Sequence, residues 1–253
     1  MIATLERVSS AKNTKLNKIE LLKEEKSPLL VYEKLKEYVA SGFDSIPADE
    51  KSYFLKCFGI FEREATPQKF MMRLRISGGY LSASQAEVIG ECAKEFGEDY
   101  IDLTTRQQCE LRYLSLASLP IVIQRLASVG ITAFQTGVDN FRGIVGDPFD
   151  ALAFDNVLPS RKLLLQIEEL FLHKEEWIAT LPRKFNTSIT GNLSNRCNVY
   201  AHDCCFVLAQ KDGLFGYNMY LGGKVGMIAR SADIFLKDEA EVLAAFASIA
   251  DLF

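Results

Sequence analysis

Arginine is the residue type whose placement in this sequence points to chemistry. Arg73 and Arg75 lie two residues apart in the alternating run KFMMRLRI, flanked by apolar positions. Arg106 stands in TTRQ, Arg112 in CELRYL, Arg142 in a Gly- and Asp-rich stretch, and Arg183-Lys184 directly after Pro182. A guanidinium offers forked donors that match carboxylates and oxyanions, so cations gathered on one surface would suit a small anion or a polycarboxylate. Spacing alone leaves open the plainer reading of separate, solvated or salt-bridged side chains. Other chemistries have little raw material: there is no GxSxG elbow, no GxxxxGK[ST] loop and no GxGxxG after a strand. His202 and Asp203 are adjacent, and neighbouring strand residues point to opposite faces, which argues against an acid/base pair. The six cysteines (Cys57, Cys92, Cys109, Cys197, Cys204, Cys205) include no CxxC pair. With two histidines in the chain they read as reduced, buried or half-buried thiols, and no metal-ligand set is assigned.

Several elements must position these cations. The chain has 253 residues, 48% hydrophobic and 25% charged, which fits one large domain or two modest ones. Its net charge of −4 argues against a non-specific nucleic-acid binder. No apolar run approaches the roughly 20 residues that cross a bilayer, and the polar N-terminus lacks a signal-peptide core. A cytoplasmic protein is expected, with neither nucleic acid nor membrane as partner.

Residues 1–62 read as helical and charged, with Leu16, Ile19 and Leu22 on one face, then Val31, Leu35 and Val39 before a stop at Gly42. Packing on the body is favoured over a partner-binding arm. From Lys69 the period changes to two. Phe70, Met72, Leu74 and Ile76 fall on one strand face and Met71, Arg73 and Arg75 on the other. Ser82 opens a helix with a capping-box partner at Gln85, and Gly97 closes it as a left-handed C-terminal residue. Strands YIDLT and CELRYL, a helix LPIVIQRLASV and a fourth strand ITAFQ complete a β-α-β-β-α-β order, the ferredoxin-like plan. Residues 136–253 continue as a loop, a helix RKLLLQIEELFLHKEEW and short strands FNTSIT, DCCFVLAQ and FGYNMYLGG. A final helix reaches Phe253 without a cap or polar tail, which reads as a chain cut from something longer. The fold class is α+β.

The motifs KFMMRLRISGGYLSASQ, IDLTTRQQCELRYL, LASVGITAFQTGVDNFRGIVGDP, LPRKFN and AHDCCFVLAQKDGLFGYNMYLGG, in this order, resemble the N-terminal half of siroheme-dependent nitrite and sulfite reductases, nearest to the ferredoxin-dependent nitrite branch. The resemblance implies a ferredoxin-like half-domain over 63–135 and the start of a siroheme/4Fe-4S module over 136–253. It implies that Arg73, Arg142 and Lys184 face the substrate oxyanion. Asn186 stands where sulfite reductases usually carry lysine and nitrite reductases asparagine. One fewer positive charge fits monoanionic nitrite better than dianionic sulfite. Arg106, Arg75 and Arg183 are implied to meet siroheme carboxylates, a buried polyanion that needs cations. Asparagine commonly follows the loop arginine in the family, where this chain has Gly143.

The implied activity is assimilatory six-electron reduction of nitrite to ammonium, with reduced ferredoxin as donor. The family holds a 4Fe-4S cluster through cysteines spaced C-x5-C and C-x3-C, and no such spacing occurs here. A missing C-terminal half or partner chain is therefore expected. The alternatives are a sulfite reductase hemoprotein half, or a non-catalytic half-protein that binds siroheme or an anion.

Overall fold

The computed structural model describes residues 17–253, so the readings of Leu16 and of the first fifteen residues lie outside it. Helix α1 (Lys18–Glu25) starts at Asn17, whose side-chain oxygen accepts from the amides of Ile19 and Glu20 at 2.9 and 3.1 Å. That cap satisfies two of the orphan donors of the first turn. The next helical stretch divides at Lys34 into α2 (Pro28–Glu33) and α3 (Leu35–Ser41), and Gly42 ends it at φ 93°. Val31 and Leu35 are buried, and Tyr32 packs on Phe58 and Phe134 with ring centroids 4.5 and 5.0 Å away. The helices are thus part of the body's core. A π-helical turn over Glu50–Phe54 leading into α4 (Leu55–Cys57) has no periodic signal in the sequence.

The first sheet holds β1 (Ile60–Arg63), β2 (Thr66–Leu74), β3 (Ile101–Leu103) and β4 (Cys109–Leu114) in the antiparallel order β1-β2-β4-β3. Helices α5 (Ala83–Phe96) and α6 (Leu119–Ser128) contribute Ile89, Cys92, Val122 and Leu126 to its core. The capping box at Ser82 and Gln85 is present, with Ser82 Oγ accepting from Gln85 N at 3.2 Å. Two expectations are corrected. Gly97 has φ −126° and the left-handed residues are Glu98 and Asp99; the glycine is needed because a Cβ there would lie 2.7 Å from the Arg112 carbonyl oxygen. ITAFQ is no strand, since β1 already occupies that edge of β2 from Ile60 to Arg63. Only an isolated bridge from Arg75 to Thr132 remains.

The second sheet runs β5 (Thr187–Thr190), β6 (Cys204–Lys211), β7 (Leu214–Leu221) and β8 (Arg230–Leu236). β5 is parallel to β6 and the other pairs are antiparallel. Asp212 and Gly213, at φ 52° and 80°, make the tight turn between β6 and β7. Helix α7 (Arg161–Glu169) is shorter than its apolar period implies, and α8 (Glu239–Leu252) starts at the capping Asp238. Phe141, Phe171, Phe185 and Phe246 form the centre of this second core. Five cysteines are buried and Cys197 is half-buried. No helix among the described residues is long and apolar enough to cross a membrane.

Arg75 pins the two cores together. Its side chain is 1% exposed and donates to Glu168 Oε1 at 3.0 Å and to the carbonyls of Phe134, Gln135 and Phe141 at 3.3, 3.0 and 2.7 Å. Glu168 also accepts from Ser77 Oγ. Its burial sets Arg75 apart from Arg73, which shares its strand face and is half-buried. Truncating one member of a buried pair leaves the other charge uncompensated. Glu168→Ala is accordingly expected to cost about 3–5 kcal/mol in urea unfolding. A loss below about 1 kcal/mol would mean the junction does not depend on this pair.

Candidate functional site

Four separate segments bring cations towards one place. Arg73 leaves the end of β2, where its Nε donates to Glu110 Oε1 at 2.8 Å and its guanidinium lies 4.8 Å over the Phe61 ring. Arg106 sits in the β3–β4 turn, held by a left-handed Gln107 at φ 59°. Arg142 belongs to the loop before β5, and Lys184 and Asn186 to the segment that enters β5. The two loops are paired: Arg142 N donates to Phe185 O at 2.9 Å and Phe185 N to Asn140 O at 3.1 Å. Asn140 also accepts from Ala179 N at 2.7 Å.

The N-terminal helix fixes both loops. Lys23 Nζ on α1 reaches Asp139 Oδ2 at 3.1 Å and the Leu181 carbonyl at 2.7 Å. Tyr53 OH donates to the same Asp139 oxygen at 2.9 Å. Asp139, three residues from Arg142, is thereby ion-paired elsewhere, and its remaining pull on Arg142 is smaller than the lowering by burial and the neighbouring arginines.

The charge pattern decides what this site can hold. Arg73 is paired with Glu110, Arg75 with Glu168 and Arg183 with Asp203 at 2.7 Å. Among the described residues Arg106, Arg142 and Lys184 have no carboxylate in ion-pair contact. Arg142 is buried, 8% exposed, and donates only to carbonyls: Thr136 O at 2.9 Å and Val138 O at 2.9 and 3.1 Å. Its pKa is pushed down to about 9, first by burial and then by Arg106, Arg73 and Arg75. Burial and Arg73 lower Arg106, while partial desolvation, Arg142 and Arg106 lower Lys184. These mutual effects are those of like charges sharing one site. Arg106 NH1 also donates to Asn186 Oδ1 at 2.8 Å. Arg73, Arg106, Arg142, Lys184 and Asn186 are thus brought together; Arg75 lies beneath them in the junction. Arg183 lies at the rim, exposed, 4.9 Å over the Phe253 ring.

Residues that spacing did not single out hold this arrangement. The Gln108 side chain mimics a backbone strand: Ile76 N donates to its Oε1 at 3.0 Å, and its Nε2 donates to Ile76 O and Arg106 O at 3.0 and 2.7 Å. Gln107 does the same for Gly146, with bonds of 2.8 and 3.0 Å. Gly143 is explained by Gln108, since a Cβ there would lie 2.6 Å from Gln108 Oε1. The only sequence signal for these glutamines is their place beside Arg106 in TTRQQ. Glu110 and Asp203, buried acids bordering apolar strands, are the carboxylates that alternation alone does not assign. His202 is buried with Nδ1 3.1 Å from Val199 O, and burial lowers its pKa.

Residues 63–129 match the Nitrite/Sulfite reductase ferredoxin-like half domain, and residues 137–253 match the Nitrite and sulphite reductase 4Fe-4S domain. A ferredoxin--nitrite reductase of Leptolyngbya laminosa is 35% identical over 83% of this chain and 42% of its own length. An assimilatory ferredoxin-dependent nitrite reductase of Haloferax mediterranei is 33% identical over 83% of this chain and 39% of its own. The chain thus spans about two fifths of the length of these curated relatives. The structure of the Mycobacterium tuberculosis NirA protein superposes with a TM-score of 0.85 at 25% identity, covering 97% of this chain and 48% of that one.

Arg142 gives the site a pH and ligand signature. The folded chain holds this proton less tightly than the unfolded one. Its buried charge therefore opposes folding in full below pH about 9, and that opposition fades as pH rises from there towards the ordinary arginine range. A bound anion offsets the same cost. Sulfate is expected to raise the thermal midpoint by several degrees over chloride at equal ionic strength, the scale of about 2–3 kcal/mol at a hundredfold excess over Kd. Arg142→Met should abolish the difference. Equal midpoints in the two salts would show that the recess takes no oxyanion.

Proposed function

The chain belongs to the nitrite and sulfite reductase family, and we propose that it forms part of an assimilatory ferredoxin-dependent nitrite reductase, reducing nitrite to ammonium with six electrons at a siroheme. The observation that carries this reading is the trio Arg106, Arg142 and Lys184, three cations without carboxylate partners among the described residues. Such a donor set fits a polycarboxylate group and a small oxyanion together, because each supplies the charge the protein withholds. In this reading residues 63–135 form the half-domain and 136–253 the siroheme-facing module.

A bound siroheme would supply the electrons; the chain's own residues bind and orient. Arg106 would meet the siroheme carboxylates, with Arg183 at the rim. Arg75 supports the floor of the recess through its carbonyl bonds. Arg142 and Arg73 present guanidinium donors to the nitrite oxygens, and donors preorganised around developing charge lower the barrier to reduction. Lys184 Nζ, whose pKa is lowered by partial desolvation and its cationic neighbours, is placed to hand a proton towards the anion. Asn186 adds a neutral amide where a lysine would favour a dianion, and this separates the nitrite reading from a sulfite reductase.

The cysteines do not fit a cluster. Cys57, Cys92 and Cys109 are buried in the first core and Cys204 in the second, and no group of three metal-binding side chains forms among the described residues. That dispersal favours a second reading, in which the chain holds siroheme or an anion and a further stretch of protein supplies the cluster.

The native protein purified from its source, given reduced methyl viologen, should consume nitrite faster than sulfite. Arg142→Met should lower kcat/KM for nitrite by about a hundredfold or more, the usual loss for one preorganised oxyanion donor. Faster turnover of sulfite would replace this reading by the sulfite branch. Siroheme retained through gel filtration without turnover of either anion would favour the second reading.

A further inference from the structure

Glu110 and Arg112 alternate with Cys109 and Leu111 along β4, so the acid and the arginine share one strand face while the other two sit in the first core. The antiparallel registers set Glu110 opposite Arg73 on β2 and opposite Asp102 on β3. Side chains opposite one another across strands are close enough to pair. The result is a row of alternating charge across the sheet. Arg73 Nε donates to Glu110 Oε1 and Arg112 NH2 to Glu110 Oε2, both at 2.8 Å. Arg112 Nε donates to Asp102 Oδ2 at 2.5 Å, and Tyr100 OH to Asp102 Oδ1 at 2.8 Å.

A carboxylate with both oxygens free closes on one guanidinium through two parallel bonds. Arg73 would then donate through Nε and NH2 together. Arg112 occupies the second oxygen of the buried Glu110, so Glu110 takes Arg73 by Nε alone. Arg73 NH1 goes to Thr136 O at 3.3 Å, the carbonyl that also accepts from Arg142 NH1 at 2.9 Å. The two guanidiniums thus meet at one oxygen, and among the described residues Arg73 NH2 is uncommitted.

Resting on the nitrite reductase reading above, we propose that Glu110 is a positioning residue for Arg73: braced at its second oxygen by Arg112, it fixes the guanidinium by Nε beside Arg142 and leaves NH2 to the anion. Charge counting gives the reverse expectation. A carboxylate beside a cationic site works against an anion, so on charge alone any neutral residue at 110 would improve binding. As an anchor, Glu110 supplies an orientation that outweighs the charge it takes away. Without an acceptor, the long Arg73 side chain must be ordered at the anion's expense. Glutamine keeps an amide oxygen for Arg73 Nε and removes the charge, so it separates the two effects.

The test titrates sodium nitrite into the full chain and its variants, read by the arginine Nε–H resonances. Glu110→Ala should weaken nitrite binding by about tenfold, the scale of one lost charge-assisted hydrogen bond, and Glu110→Gln should tighten it. Arg112→Met, which frees Oε2 to close on Arg73, should weaken binding as well. Tighter binding in Glu110→Ala, or equal weakening in Glu110→Ala and Glu110→Gln, would sink the proposal, and unchanged binding in Arg112→Met would remove the brace from it.

The Arg73 Nε–H signal is a readout that fold stability does not move. In the wild type it should lie downfield of free arginine and exchange slowly with water, and in Glu110→Ala it should return to the free position. A wild-type signal already at the free position, with fast exchange, would overturn the proposal even where Glu110→Ala does not fold. Wild-type protein that binds no nitrite would count against the nitrite reading, while the Nε–H signal still decides the role of Glu110.

Discussion

Arg142 is a positive charge buried against other positive charges and held only by carbonyl oxygens. Charges of one sign in a recess repel, and a guanidinium removed from water loses its hydration. A fold keeps such a group in place only if the surrounding chain leaves it nowhere to go. Here the Arg142 side chain curls back onto the carbonyls of Thr136 and Val138, in its own loop, while its backbone is bonded to Phe185. The nearby acid, Asp139, is committed to Lys23 and Tyr53. The nearest carboxylate is thus spent mainly on Lys23, and its pull on Arg142 does not outweigh burial and the three neighbouring arginines.

The rest of the molecule follows from that requirement. Lys23 reaches both recess loops from α1, so the N-terminal helices serve the site although none of their residues lines it. Arg75 and Glu168 keep the two cores in one relation, and with them β2, which carries Arg73, and the loop that carries Arg142. Gln107 and Gln108 tie the Arg106 turn to Gly146 and Ile76 by bonds of backbone type. Each tie joins segments that are far apart in sequence, which is the geometry needed to hold cations from four places against their mutual repulsion.

How much of this was legible in the sequence depended on whether the deciding contact was local. The capping box at Ser82 and the change to a strand from Lys69 are set within a few residues, and the structure has both. ITAFQ has a strand's composition but lost its partner edge to β1, a competition that no window of sequence contains. The burial of Arg75 was hidden for the same reason. Alternation predicts a face, and whether that face meets water or a second domain is a tertiary fact. The cations were visible as residue types at odd positions. Their pairing was not, because Glu110, Glu168 and Asp203 look like any other acid until the fold is known.

Charge counting illustrates the difference. The chain as a whole carries −4, which at long range repels an anion, yet salt screens that field beyond about 10 Å. What an incoming anion meets is the local balance, and that balance is set by which acids have been withdrawn. Glu110, Glu168 and Asp203 each take one arginine, and Asp139 is withheld by Lys23. Arg106, Arg142 and Lys184 remain. Moving any one of those carboxylates by a few ångströms would change the recess by a full charge without altering a single cation. The selectivity of such a site therefore resides as much in the hydrogen bonds that occupy its acids as in the arginines and lysine that face the ligand.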